Sequence, residues 1–179
     1  KARKKSDSFT VTLNSVERVV VDSDGDVTVS ASCWSTGVNS IGITNKTQGS
    51  VTLFDLQEAG PGLTFDLNDV AADVTLNFDQ QAAQGANAVD VTLTEVTGAL
   101  TLVGEGVETI ETVNLHVADL KGAASMLKSL GATKATTLNI DGGLAGQKFV
   151  IAAPLPATLA TVDASTFVGN LVLDSTAMD

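Results

Sequence analysis

One short word returns along this chain: Val, Leu or Ile alternating with Thr, Asn or Asp, closed by Gly, Asp, Asn or Ser. It reads Thr10-Val11-Thr12-Leu13, Asp26-Val27-Thr28-Val29, Ser50-Val51-Thr52-Leu53, Asp73-Val74-Thr75-Leu76-Asn77-Phe78, Asp90-Val91-Thr92-Leu93 and Thr136-Thr137-Leu138-Asn139-Ile140. Successive side chains of a strand point to opposite faces, so this alternation describes strands with one buried and one wet side. Its return along nearly the whole chain predicts stacked or paired strands and very little helix.

The strand words fall near 9–13, 16–21, 26–31, 40–44, 50–56, 63–67, 74–78, 88–94, 99–103, 110–117, 136–140, 148–152, 159–163 and 169–173. Short strands at that spacing fit a sandwich, a barrel or a β-solenoid. Three features favour the solenoid. Tight two-residue hairpin signals are nearly absent. The words resemble one another more than sandwich strands do. Asn and Thr recur at wet positions, as in ladders of stacked like residues. The expected fold is therefore an all-β parallel β-helix, with a β-sandwich as the alternative. A soft boundary near 84–88 leaves residues 8–176 as one domain, between a mobile basic arm at 1–7 and a tail at 177–179. One segment breaks the pattern. Between Asp119 and Gly131, Leu120, Ala123, Ala124, Leu127 and Leu130 lie on one helical stripe, with Asp119 as N-cap and Gly131 as stop. This predicts a short inserted helix near 119–130.

Composition narrows the partners. Hydrophobic residues make up 44% of 179, but aromatics only 4%, with one Trp and no Tyr, so the filling is aliphatic. Small and β-branched side chains suit a narrow, regularly stacked interior. Net charge is −11, and residues 6–179 carry 21 acids against 6 bases. Such a body repels nucleic acid and anionic lipid and suits divalent cations or a basic partner. The single cysteine, Cys33, excludes an internal disulfide. No apolar run is long enough to insert in a membrane as a helix. The absence of an initial Met points to a processed product or a fragment.

Asp22-Ser23-Asp24-Gly25-Asp26 has the best metal-site composition. Asp22, Asp24 and Asp26 alternate and can converge on calcium while Gly25 permits a sharp bend. The bland reading is a turn between Val19–Val21 and Val27–Val29, with Asp-Gly chosen for its backbone. Asp66, Asp69, Asp73, Asp79 and Asp90 sit at strand ends and could serve equally. His116 alternates with Val113, Leu115 and Val117 and reads as an exposed strand histidine. A Ser/His/Asp triad would need it, yet no G-x-S-x-G elbow exists. Zinc is implausible with one His and one Cys. Glycoside hydrolysis could recruit paired carboxylates, but sugar sites want aromatic platforms. No enzyme is expected.

Three phrases carry a family likeness: Val107-Glu108-Thr109-Ile110-Glu111-Thr112-Val113-Asn114-Leu115, Ala135-Thr136-Thr137-Leu138-Asn139-Ile140-Asp141-Gly142, and Leu159 through Leu171 with its Thr161-Val162-Asp163-Ala164-Ser165 core. Residues 88–176 resemble the repeat region of Gram-negative surface-layer proteins, relatives of secreted RTX-type β-solenoids. The resemblance implies a right-handed parallel β-helix, export to the cell surface, and calcium-dependent folding and assembly. It implies turn carboxylates as ligands, here Glu108, Glu111, Asp141 and Asp163. The glycine-rich calcium nonapeptide of RTX proteins is missing; only Asp141-Gly142-Gly143 echoes it. The expected function is a structural, self-assembling, extracellular layer or filament subunit, a lattice of identical chains near cell-envelope polysaccharide. The alternatives are a virus or phage particle subunit and an adhesin module. The basic arm could dock on a neighbour's acidic face.

Overall fold

A computed structural model describes residues 7–10, 16–32, 34, 37–57, 59, 62–80, 82–83, 85, 87–105, 110–118, 125–132, 134–174 and 176. Among these residues there is strand and turn but no helix. The strands are β1 (Asp7–Thr10), β2 (Arg18–Asp22), β3 (Val27–Ser30), β4 (Ser40–Asn45), β5 (Ser50–Leu56), β6 (Thr64–Val70), β7 (Asp73–Phe78), β8 (Ala88–Val96), β9 (Leu100–Gly104), β10 (Thr112–Val117), β11 (Ser125–Leu127), β12 (Leu130–Gly131), β13 (Thr137–Gly142), β14 (Lys148–Pro154), β15 (Thr161–Asp163) and β16 (Asn170–Asp174).

Every strand pairs in parallel, and consecutive strands go to different sheets. The long sheet runs β2-β4-β6-β8-β10-β13-β15, a second runs β1-β3-β5-β7-β9-β12, and a short third runs β11-β14-β16. The chain is a parallel β-helix. A sandwich, built from antiparallel pairs, is excluded. Along the long sheet Arg18 pairs with Ser40, Ser40 with Thr64 and Thr64 with Asp90, so each rung takes 22 to 26 residues there.

Register explains why the recurrent word folds this way. Val19, Ile41, Phe65, Val91, Leu115 and Ile140 form one inward column of the long sheet. Val29, Leu53, Leu76 and Leu102 form another on the second sheet. Their outward neighbours stack too: Thr28, Thr52, Thr75 and Thr101 form a threonine ladder. Most inward side chains of the middle rungs are 0–1% exposed, among them Leu53, Leu76 and Leu93. Burying each contributes about 1.5–3 kcal/mol, which makes stacking the source of stability. Phe65 and Phe78 meet edge to face inside, with ring centroids 5.9 Å apart.

Rung-to-rung contact also dictates backbone. A Cβ on Gly98 would lie 1.8 Å from the Ala72 carbonyl oxygen of the preceding rung, so a side chain cannot fit. Non-glycine residues take the left-handed conformation at Asp55, Asp69 and Glu95. The first two lie where the pairing register slips, between Leu53 and Leu56 and between Leu67 and Val70. These are bulges that turn Leu56 and Val70 inward at the strand ends.

The expected helix is overturned where the chain is described. Residues 125–127 are β11, paired with β14, and Leu130–Gly131 is β12, paired with β9. Residues 119–124 lie outside the described set. β1 begins at Asp7, inside the expected basic arm; residues 1–6 and 177–179 lie outside the description.

Candidate functional site on the outer face of the long sheet

The outer face of the long sheet is a flat polar array. One column reads Arg18, Ser40, Thr64, Asp90, Asn114, Asn139, Asp163. The next reads Val20, Gly42, Asp66, Thr92, His116, Asp141. Parallel strands lie about 4.8 Å apart, so like side chains stack within hydrogen-bond reach. Asn139 Nδ2 donates to Asn114 Oδ1 at 2.8 Å, and Asn114 Nδ2 donates to Asp90 Oδ1 at 2.6 Å. This amide chain is directional: its donors all point toward Asp90, and an amide oxygen, Asn139 Oδ1, lies at the end nearer Asp163.

The neighbouring column holds hydrogen-bonded and charged partners. His116 Nδ1 hydrogen-bonds with Asp141 Oδ1, both side chains being more than half exposed. Arg18 reaches across to Asp66, its Nη2 3.0 Å from Oδ2. Asp163 accepts the Ser165 backbone N–H at 2.9 Å. That bond, helped by the Ser165 side chain, holds the Asp163 carboxyl below the usual carboxylate range, so it stays ionised.

The sequence-predicted acids divide between two kinds of position. Asp141 and Asp163 share the outer face on successive rungs, in adjacent columns. Glu111 lies just before β10, where its Oε2 accepts the Asn87 backbone N–H at 2.7 Å. Asp22 ends β2. Asp24 and Asp26 occupy the corner to β3, where Asp26 Oδ1 accepts the Ser50 backbone N–H at 2.8 Å and its hydroxyl at 3.1 Å. Asp26 thereby ties its corner to the next rung, as Asp73 Oδ1 does by accepting the Ala99 N–H at 2.9 Å. Among the described residues no three His, Cys, Asp or Glu side chains converge as a metal-binding group. Glu108 lies outside the described residues, as does Cys33.

The 22–26 corner is organised by a residue that reasoning from sequence passed over. Asn45 is fully buried. Its Nδ2 donates to Ser23 Oγ at 2.9 Å and to the Gly25 carbonyl at 3.0 Å. Its Oδ1 accepts the Thr47 N–H at 3.0 Å and hydroxyl at 2.9 Å. The asparagine amide uses both ends, a fully satisfied buried polar group that locks two successive corners.

Gly142 and Gly143 also take turn roles. Both have positive φ, and a Cβ on them would lie 2.3 Å from the Val117 oxygen and 2.5 Å from the Val168 oxygen. The glycines admit neighbouring rungs, and Asp141 beside them is engaged by His116.

A groove of about 510 Å³ lies beside β11, lined by Gly49, Ala71, Asp73, Gly98, Met126 and Lys128. Lys128 Nζ lies 3.1 Å from Asp73 Oδ2. The Ala99 N–H first, and then Lys128, hold the Asp73 carboxyl below its ordinary range.

No protein-family model matches the chain, and neither does any curated protein or solved structure.

Proposed function

We propose that this chain is a structural, non-catalytic unit of a self-assembling layer or filament at a cell exterior, of the surface-layer and RTX-type kind that residues 88–176 resemble, with calcium quenching its negative charge. The observation that carries the reading is the regular outer face of the long sheet. Its stacked columns, Arg18 to Asp163 and Val20 to Asp141, hold the Asp90–Asn114–Asn139 ladder and the exposed Arg18–Asp66 and His116–Asp141 pairs. A repeated polar surface of this kind suits side-by-side packing of copies more than the enclosure of a small molecule.

Charge supplies the metal half. A body with 21 acids against 6 bases opposes packing of copies unless cations intervene. Asp141 and Asp163, exposed on one face on successive rungs, are the residues best placed to share an ion with a neighbour. Asp22, Asp24, Asp26 and Glu111 serve within corners.

Light scattering and electron microscopy of purified protein test this. Millimolar calcium should give sheets or filaments that chelator disperses and added calcium restores. A protein that stays monomeric at every calcium and protein concentration would refute the assembly. Assembly indifferent to chelator would remove the calcium.

A further inference from the structure

We infer that two copies of this chain pack back to back through the outer face of the third sheet, with strands antiparallel across the joint. This rests on the assembly reading above for its occupant, a second copy of this chain, and names one contact face of the assembly.

The first observation is where apolar side chains meet water. In β14 the inward residues Phe149 and Ile151 are buried, and Val150 between them faces out. Register stacks Met126 of β11 and Val172 of β16 on either side of Val150. The outward column of this sheet is therefore wholly apolar: Met126, Val150, Val172. Met126 and Val172 are each 43% exposed. Leu144 and Val168, in the corners that lead into β14 and β16, are 42% and 50% exposed. Among the described residues six large hydrophobic side chains are exposed, and these four are at this one sheet; the others are Val20 and Val103. The two remaining sheets turn polar columns outward. One presents Thr28, Thr52, Thr75 and Thr101, and the other presents Asp90, Asn114 and Asn139. A contiguous apolar stripe on one face of an otherwise polar solenoid marks a contact surface. Its side chains point away from the core, so a rung stacked on either side would lengthen the stripe rather than cover it.

The second observation is charge. Strands β11, β14 and β16 hold one base, Lys148, and one acid, Asp174, in a chain of net charge −11. Two such chains repel each other least where this neutral face meets itself. The same two charges set the orientation. Lys148 begins β14 and Asp174 ends β16. Turning the second copy about the direction of rung stacking reverses its strands and lays the apolar column on itself. Each Lys148 then lies toward Asp174 of the other copy, one strand spacing along the stack. Turning it about the strand direction would set Lys148 against Lys148, a disfavoured pairing.

The third is shape. Flat β faces pack about 10 Å apart with interdigitated side chains. Branched Val150 and Val172 are stiff, and Met126 adapts to fill the gaps between them. A patch that meets its own copy closes after two chains, and the outer face of the long sheet stays free for further contacts.

Sedimentation in chelator, where calcium-bridged material is dispersed, tests the pair. Wild-type protein should pass from monomer to dimer as its concentration rises. Met126→Lys/Val172→Lys, both at exposed positions, should raise the dimer dissociation constant at least about tenfold and leave denaturant unfolding of the monomer nearly unchanged. Val103→Lys, on the second sheet, should leave the dimer intact. Lys148→Glu should weaken the dimer, and adding Asp174→Lys should recover most of that loss. Wild-type protein that stays monomeric in chelator yet assembles with calcium would overturn the back-to-back pair and leave the assembly reading standing. Dimers indifferent to Met126→Lys/Val172→Lys, or a charge exchange without recovery, would overturn the face or its orientation. Dimers that never grow larger at any calcium concentration would overturn the assembly reading alone. Monomers that bind phosphatidylcholine vesicles would give the stripe to a lipid surface and overturn the pair.

Discussion

The middle rungs and the last rung are made of the same vocabulary and meet different fates. Leu53, Leu76 and Leu93 have a rung above and a rung below, and none is exposed to solvent. Leu171 and Leu173 continue equivalent inward columns on a short sheet, but each has a neighbour on one side only. What a residue contributes in a solenoid is thus decided less by its identity than by how many rungs cover it. The same holds outside. Asn114 sits between two amide or carboxyl partners, whereas Asp163 has the Asn139 rung on one side and an open edge on the other. The middle is where the fold keeps its stability.

The largest expected effect separates these regions directly. Leu93→Ala should destabilise the chain by about 2–5 kcal/mol, a cavity enclosed on all sides. Leu173→Ala in dispersed protein should cost less than half of that, read by denaturant unfolding. Equal losses would mean the last rung is as well covered as the middle. Next comes Asn45→Ala, which strands the Ser23–Gly25 corner and the Thr47 N–H; a loss of about 1–3 kcal/mol is expected. A value near zero would show that water replaces the amide there without penalty.

A smaller effect concerns the outer ladder. Asn139→Ala should cost about 0.5–1.5 kcal/mol, and a double-mutant cycle with Asn114→Ala should show coupling, because one hydrogen bond joins them. Strict additivity would mean that the two amides do not act as a chain.

The smallest effect is acid sensitivity at the corner groove. The Asp73 carboxyl is depressed in the folded chain, chiefly by the Ala99 N–H, so it binds a proton more readily when unfolded. Its stabilisation is present above the ordinary carboxylate range and fades as pH falls through the lower folded value. Asp73 and Lys128 are both well exposed, which limits the contribution to about 1 kcal/mol or less. Asp73→Asn should lower stability slightly at neutral pH, match the unsubstituted chain at low pH, and so flatten the acid limb of a stability–pH curve.

Most of the fold was legible because alternation is a local signal. The words at 26–31, 50–56, 74–78 and 88–94 became β3, β5, β7 and β8 within a residue or two. The exception is instructive. Leu127 and Leu130 stand three apart, which reads as one helical face. In the structure each ends up inward on a different sheet, with a tight turn at 128–129 between β11 and β12. A short strand, a turn and another strand mimic helical spacing, and pairing with β14 and β9 overrides it. The site was less legible for a different reason. Which acids meet which amides depends on rung length, and that varies along the chain. Along the long sheet Thr64 pairs with Asp90, 26 residues on, whereas Arg18 pairs with Ser40 after 22. Without that count, neither the His116–Asp141 pair nor the Asp90–Asn114–Asn139 ladder follows from the residues alone, though stacked Asn and Thr were expected in kind. Asn45 looked like one of many strand-end polar residues; its burial comes from two corners closing over it.

Hydrogen exchange of this chain, followed by mass spectrometry, tests the central claim most directly. The account predicts slow amide exchange in the doubly covered middle rungs β5 to β8 and faster exchange in the edge strands β2, β15 and β16. Exchange in β5 to β8 as fast as in β15 and β16 would contradict it.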